Sequence, residues 1–279
     1  ICLSSFKIQV DISFPKQYNR RMKNKNIKAA FFDVDGTLYD HEKKEIPPLH
    51  LEMLKRLKQE GIRICLCSGR AWPLLQNLGI LSEADWDGFV CGNGSYVYDK
   101  EGVELFKNVI PKKSADDIFD RAEKQQIGLF VAGNCAFCTR DDGPTRQLLN
   151  DFSIVGVPFR DKAENDEFCI ISLAVSDTRK RRPEFESIPD IQILYNEASI
   201  DIMRKDLSKY EGIKVLMDHF GFNEHDYMAF GDALNDLEML ENASLGAAMA
   251  DGDARVLAKI ENHCPSVKEA GIYTFLKEN

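Results

Sequence analysis

From residue 27 onward, short apolar runs alternate with stripes at helical spacing. Ile27, Ala29, Ala30, Phe31 and Phe32 form a run that stops at Asp33-Val34-Asp35-Gly36-Thr37, the pattern of a buried strand entering a polar loop. Leu51, Leu54 and Leu57 then recur at helical spacing, and Gly61 ends that helix. Ile62, Ile64, Cys65 and Cys67 predict a second buried strand, closing at Ser68-Gly69-Arg70. A short helix over Trp72–Leu78 follows, and a third strand, Gly88–Cys91, runs into Gly92-Asn93-Gly94. Strands alternating with helices predict a parallel sheet with helices on both faces.

The alternation then breaks. Tyr96–Tyr98 and Val103–Phe106 flank Asp99-Lys100-Glu101-Gly102, a hairpin signal. Beyond it lie a helix over Ala115–Gln126, glycine turns, and strands over Phe168–Val175 and Ile191–Tyr195. This mixture predicts a separate α+β unit inserted into the first domain. Near Ser199 the alternation resumes, with a strand at Ile200, Ile202 and Met203 and a helical stripe at Ile213, Leu216, Met217 and Phe220, closed by Gly221. Tyr227–Phe230 predicts a strand reaching Gly231-Asp232, followed by a helix at Leu234, Leu237 and Leu240, a strand over Leu245–Met249 and two last helices. The fold class is therefore α/β: a Rossmann-like core from 27–94 and 198–279, with an inserted α+β cap over 95–197. Residues 1–26 stand apart. They start at Ile1 and lead into the basic, Asn-rich stretch Arg20–Lys28. Met22 would serve as a natural start, leaving 1–21 as upstream sequence; the alternative is a flexible arm.

A chain of 279 residues suggests two domains or one large one. Such a chain buries enough core to fold without a metal or disulfide staple. Its 36 Lys and Arg against 45 Asp and Glu give a net charge of −9, which argues against non-specific nucleic-acid binding and against anionic membrane surfaces. No apolar run approaches the roughly 18 residues of a membrane span. Lys7 and Asp11 interrupt the apolar stretch that a signal peptide would need. The 8 scattered cysteines read as reduced thiols of a cytoplasmic protein. Cys135 and Cys138 have CxxC spacing, but no second ligand pair lies nearby and no thioredoxin-like helix follows. They read as small apolar residues of the cap. The run Arg179–Arg182 reads as a solvated turn, and the polar loop Arg140-Asp141-Asp142-Gly143 as cap surface near a substrate.

In open α/β sheets, ligands sit beyond the carboxyl ends of the strands. Three polar clusters fall at such ends: Asp33 with Asp35, Ser68, and Asp232 with Asp236. Converging carboxylates repel unless a cation sits between them, and hard oxygen ligands suit Mg²⁺, which leaves room for a phosphate. On local pattern alone, Asp33 and Asp35 equally well cap and turn the chain before Pro47.

The combination of motifs favours the chemical reading. Asp33-Val34-Asp35-Gly36-Thr37-Leu38 resembles the DxDGT[LV] signature of the haloacid dehalogenase (HAD) superfamily. Ser68-Gly69-Arg70 resembles its second motif, Leu207–Ile213 its lysine-bearing third, and Gly231-Asp232-Ala233-Leu234-Asn235-Asp236 its fourth, GDxxND. All four occur in order. The insertion between the second and third is where the Cof-type subfamily carries a C2-type cap, and Asn93-Gly94 is similar to that subfamily too. Lys209 fits the third motif better than Lys205, because Gly212-Ile213 follows it. Two stretches depart from the usual pattern: Met249-Ala250-Asp251-Gly252 replaces a Gly-Asn pair, and Glu269-Ala270-Gly271 an acidic pair before glycine.

The resemblance implies an Mg²⁺-dependent phosphatase acting on a small phosphorylated metabolite, most often a sugar phosphate. It implies Asp33 as nucleophile and Asp35 as acid and base. It places Mg²⁺ on the Asp33 side chain, the Asp35 carbonyl and Asp232, and Ser68, Lys209 and Asn235 on the phosphoryl group, with Asp236 orienting Lys209 or a water from behind. Arg70 reads either as a phosphate contact or as a structural ion pair and stays outside the catalytic set. Two rivals stay open: phosphotransfer to an alcohol on the same core, as in a mutase, and a phosphometabolite sensor without turnover. The sequence leaves the substrate and the oligomeric state open.

Overall fold

The structure, a computed structural model, describes residues 26–196 and 199–278. The expected N-terminal extension, apart from Asn26, lies outside the described residues. In chain order the strands are β1 (Ala29–Phe32), β2 (Arg63–Cys67), β3 (Gly88–Cys91), β4 (Tyr96–Asp99), β5 (Glu104–Lys107), β6 (Gly128–Gly133), β7 (Ala136–Cys138), β8 (Phe168–Ala174), β9 (Ile191–Tyr195), β10 (Ile200–Arg204), β11 (Tyr227–Gly231), β12 (Leu245–Met249) and β13 (Asn262–Cys264).

They form two sheets. An 8-stranded sheet runs β13-β12-β11-β1-β2-β3-β4-β5, and a 5-stranded sheet runs β7-β6-β8-β10-β9. Pairing in the larger sheet is parallel from β13 through β3, and β4 and β5 add an antiparallel edge. Strand β1 is central, in register with β11 on one side (Phe32 opposite Phe230) and β2 on the other (Phe32 opposite Leu66). Both faces of that sheet are buried, which explains the continuous apolar runs. Ala30 and Phe32 pack into one core with Leu54 and Leu57 of the helix Pro48–Gln59, while Ala29 and Phe31 pack into a second with Ile213 and Leu216 of the helix Lys209–His219.

The smaller sheet is antiparallel throughout. One face is covered by the helix Lys112–Lys124, whose Ala115, Ile118 and Ala122 pack against Phe168, Ile171, Ile200 and Ile202. Sheet membership moves both ends of the inserted segment. The hairpin of β4 and β5, placed in the cap from its turn signal, extends the core sheet. Strand β10, placed in the core from its apolar residues, pairs with β8 and β9 in the cap sheet. Its alternation says that one face is buried but not against which sheet. The short strands β6, β7 and β13 carried no separate signal.

Among the described residues no helix is long and apolar enough to cross a membrane. The 7 described cysteines are unpaired. Burial pushes Cys135 up to about 11 and Cys138 up to about 12, values that suit inert packing thiols.

Candidate active site

The carboxyl ends of β1, β2 and β11 meet over one cavity of roughly 490 Å³. Asp33 leaves β1 there, its backbone N–H donating to the Phe230 carbonyl at 2.9 Å, which ties it to β11. The chain then turns at Gly36, where φ is +80° and an added Cβ would lie 3.1 Å from Asp232 Oδ2. Only glycine takes that backbone shape beside a carboxylate without strain. Thr37, fully buried, donates from Oγ1 to Asp232 Oδ1 at 2.8 Å.

Lys209 opens the helix Lys209–His219, which Ser208 caps by accepting from the Glu211 N–H. A cation at a helix N-terminus opposes the dipole, so other charges must hold it. Lys209 Nζ donates to Asp33 Oδ1 at 2.6 Å and, by a shorter bond, to Asp236 Oδ1. Gly94 lets this helix approach, because a Cβ there would strike the Ser208 carbonyl. Asp236 is fully buried and uses its other oxygen to accept the backbone N–H groups of Asp232 (3.0 Å) and Ala233 (2.9 Å). It therefore fixes the loop that presents Asp232.

One ligand oxygen from each of Asp33, Asp232 and Asp236 lies within 4.8 Å of the others. These carboxylates are not equivalent. Both Asp236 oxygens are spent on Lys209 and the loop, whereas Asp33 and Asp232 each keep Oδ2 outside those bonds. Burial raises Asp33 well above the usual carboxylate range; Lys209 opposes this, while Asp236, Asp232 and Asp35 add to it. Burial and then Asp236 push Asp232 up to about 6, against the Thr37 hydrogen bond. Lys209 loses from burial but gains more from Asp236 and Asp33, so it stays charged. Crowded carboxylates with raised values are what a divalent cation relieves, and their all-oxygen chemistry fits Mg²⁺.

Asp35 also lines the cavity, in a different setting. Arg70 Nε donates to its Oδ2 at 2.8 Å, Arg70 Nη2 donates to its Oδ1 at 2.8 Å, and His41 Nε2 lies 2.5 Å from Oδ1. Burial alone would raise Asp35, but the His41 and Arg70 hydrogen bonds outweigh it and hold the carboxyl below the ordinary range. Arg70 thus forms the ion pair weighed from the sequence. No motif of the sequence marks His41, which joins Asp35 only through the fold.

Asn235 reaches the cavity and donates to Asn93 Oδ1 at 2.9 Å. Asn93, at φ +55°, also lines the cavity; its left-handed turn was legible only as the Gly-Asn-Gly stretch. Ser68 and Lys209 are buried beneath the wall, with Ser68 Oγ accepting the Arg70 N–H at 3.1 Å. The unusual loop after β12 supports the site from behind, since Asp253 N–H donates to the Asp232 carbonyl at 2.7 Å. Strands β6, β8 and β10 of the smaller sheet add Phe130, Ile170, Ser172 and Asp201 to the cavity lining.

The chain is similar to several known proteins along most of its length. YkrA of Bacillus subtilis (strain 168) is 29% identical over 262 residues, covering 90% of this chain and 97% of that protein. The HMP-PP phosphatase of Klebsiella pneumoniae (strain 342) is 27% identical over 243 residues, covering 84% and 88%. The solved structure of BT4131, described as a HAD subclass IIB sugar phosphatase, superposes with a TM-score of 0.79 at 28% identity, covering 90% of this chain and 98% of that one. The family model of the haloacid dehalogenase-like hydrolases matches residues 30–276, and with the aspartate pair, the buried lysine and the acidic loop on one sheet edge, the chain belongs to that family.

Proposed function

We propose that the protein is an Mg²⁺-dependent phosphatase that hydrolyses small phosphomonoesters, sugar phosphates among them, through a phosphorylated Asp33. The observation that carries this reading is the shared lysine: Lys209 bonds Asp33 and Asp236 while Asp232 stands beside them at the next strand end. A binding protein has no use for a nucleophile so oriented, nor for a second carboxylate two residues on. The names of the Klebsiella phosphatase and of BT4131 support the same class of reaction.

Asp33 lines the cavity and Lys209 holds its Oδ1, which leaves Oδ2 as the oxygen that attacks phosphorus. As that P–O bond forms, the bond to the leaving oxygen breaks and Asp35 supplies the proton that the leaving alkoxide takes. Water then attacks the phosphoryl group on Asp33, gives its proton to Asp35, and frees phosphate and the Asp33 carboxylate. With Arg70 and His41 both on it, Asp35 rests ionised, the form the second half needs. The first half needs the Arg70 pair to loosen, so that burial raises the carboxyl. Asp33, the Asp35 carbonyl and Asp232 would hold Mg²⁺, which offsets charge between nucleophile and phosphate. Asn235 lines the cavity and supplies a donor on the phosphoryl side, while Ser68 and Lys209, expected there from the motifs, lie buried behind the wall and hold the Arg70 backbone and Asp33 in place.

The test is phosphate release from sugar phosphates, nucleotides and cofactor phosphates, with and without Mg²⁺, for wild type and Asp33→Asn. Release that needs Mg²⁺ and falls by at least ~10³ in the variant is expected. Turnover that survives Asp33→Asn would remove Asp33 as nucleophile.

A further inference from the structure

The cavity has a core end and a cap end, and the two differ in that, among the described residues, only the core end carries cationic side chains, Arg70 and His41, both on Asp35. Its core side brings Arg70, His41 and the Asn235 amide to the carboxylates where phosphate would sit. The charged residues that the cap contributes are both acidic, Asp151 and Asp201. Asp201 is the more deeply set. Phe130 of β6, Ser172 of β8 and Asp201 of β10 are paired in register across three neighbouring strands and line the cavity together. A rigid sheet, rather than a loop, therefore presents the carboxylate.

The hydrogen bonds of Asp201 define what it can still accept. Ser172 Oγ donates to Oδ1 at 2.6 Å, while Ser199 Oγ (2.9 Å) and Asn196 Nδ2 (2.8 Å) donate to Oδ2. All three donors are neutral, so the charge is oriented but not cancelled. Among the described residues, two acceptor positions per carboxylate oxygen leave Oδ2 filled and Oδ1 with one position open. Ser172 has committed its single proton to Asp201, so toward the cavity its hydroxyl can only accept. This end of the cavity is an acceptor-only surface with a negative charge.

We propose that Asp201, with Ser172, reads the leaving group, accepting a hydrogen bond from a hydroxyl or protonated amine remote from the phosphate and excluding substrates that end in a second anion. This specificity role rests on the phosphatase reading above. A donor on the substrate fills the open position of Oδ1. A carboxylate or second phosphate there meets a fixed negative charge with no cation from the cap among the described lining residues to offset it.

The test uses three esters that differ only at the carbon farthest from phosphate: sorbitol 6-phosphate, 1-amino-1-deoxysorbitol 6-phosphate and 6-phosphogluconate. With wild type and Mg²⁺, kcat/KM for each donor-ended ester should exceed that for the carboxylate by ~10-fold or more. A preference for the amine over the alcohol would assign charge pairing, and equal use of the two would assign hydrogen bonding alone; both support the proposal. Asp201→Asn keeps the shape, removes the charge and adds a donor, so the gap should shrink to about threefold or less. Equal use of all three esters by wild type would overturn the proposal, as would an undiminished gap in a variant whose circular dichroism matches wild type. If Asp201→Asn fails to fold, the wild-type comparison still decides. Failure of the phosphatase reading looks different, because no ester, p-nitrophenyl phosphate included, would then release phosphate.

Discussion

Replacing Lys209 by Met removes the one cation that, among the described residues, is bonded to Asp33 and Asp236 and leaves both carboxylates in place. The lysine side chain is 1% exposed, and its partners Asp33 and Asp236 are 7% and 0% exposed. At the 2.6 Å separation from Asp33, one such pair is worth about 6 kcal/mol at an effective dielectric of 20, before desolvation is subtracted. Removing one partner of a buried pair costs about 3–5 kcal/mol net, because the other stays buried and uncompensated. For a chain of this size that corresponds to a loss of ~6–20 °C in Tm. The same change makes a bound cation more valuable, since the three crowded carboxylates then lose the ammonium that bonded two of them. Thermal unfolding of wild type and Lys209→Met, each with and without Mg²⁺, reads both effects. The expected result is a much lower Tm for the variant without Mg²⁺ and a larger Mg²⁺-induced gain than in wild type. A variant that melts within ~2 °C of wild type without Mg²⁺, or that gains no more from the cation, would refute the idea that Lys209 neutralises this cluster.

Three further outcomes follow from the same geometry. Gly36→Ala forces a side chain into φ +80° against Asp232, and should cost about 1–3 kcal/mol and weaken Mg²⁺-dependent turnover, measured by chemical denaturation and phosphate release. Because Asp232 is pushed up to about 6, protons compete with the cation below that pH. The Mg²⁺ concentration for half-maximal turnover should therefore rise about fivefold as pH falls from 6 to 5, and a flat profile would exclude Asp232 as a ligand. Asp35 is held low by His41 and Arg70, so its contribution to stability is present above the unfolded carboxylate value of ~4 and is lost as pH falls through the folded value. Arg70→Gln should accordingly melt below wild type at pH 7, with the gap closing toward pH 3; a gap that widens in acid would reverse the assignment.

The positions of Asp33, Asp35, Asp232 and Asp236 were legible because each motif sits where an apolar run stops, and strand ends on one sheet edge converge. The bonds that distinguish their roles were not legible. Nothing local says that Asp236 spends both oxygens on Lys209 and its own loop, or that Ser68 turns its hydroxyl to the Arg70 amide. His41 and Arg70 join Asp35 only after the turn at Gly36 brings the two loops together. Strand β10 shows the limit most plainly. Ile200 and Ile202 have the spacing of any half-buried strand, and pairing with β8 rather than β1 is decided by partners nearly thirty residues away in one case and far more in the other. That misplacement also hid Asp201, which looks like a core residue until its sheet is known.

The central place of β1 has a consequence for the newborn chain. Its partner on one side, β2, follows within the same stretch of synthesis, but its partner on the other, β11, begins at Tyr227. At the usual 5–20 residues per second, the ribosome needs about 10–40 s to make the intervening segment. Throughout that interval Ala29–Phe32 present an unpaired apolar edge, the kind that recruits other chains. Translation speed and chaperone supply, more than the stability of the finished protein, should therefore govern how much of this protein a cell recovers in soluble form.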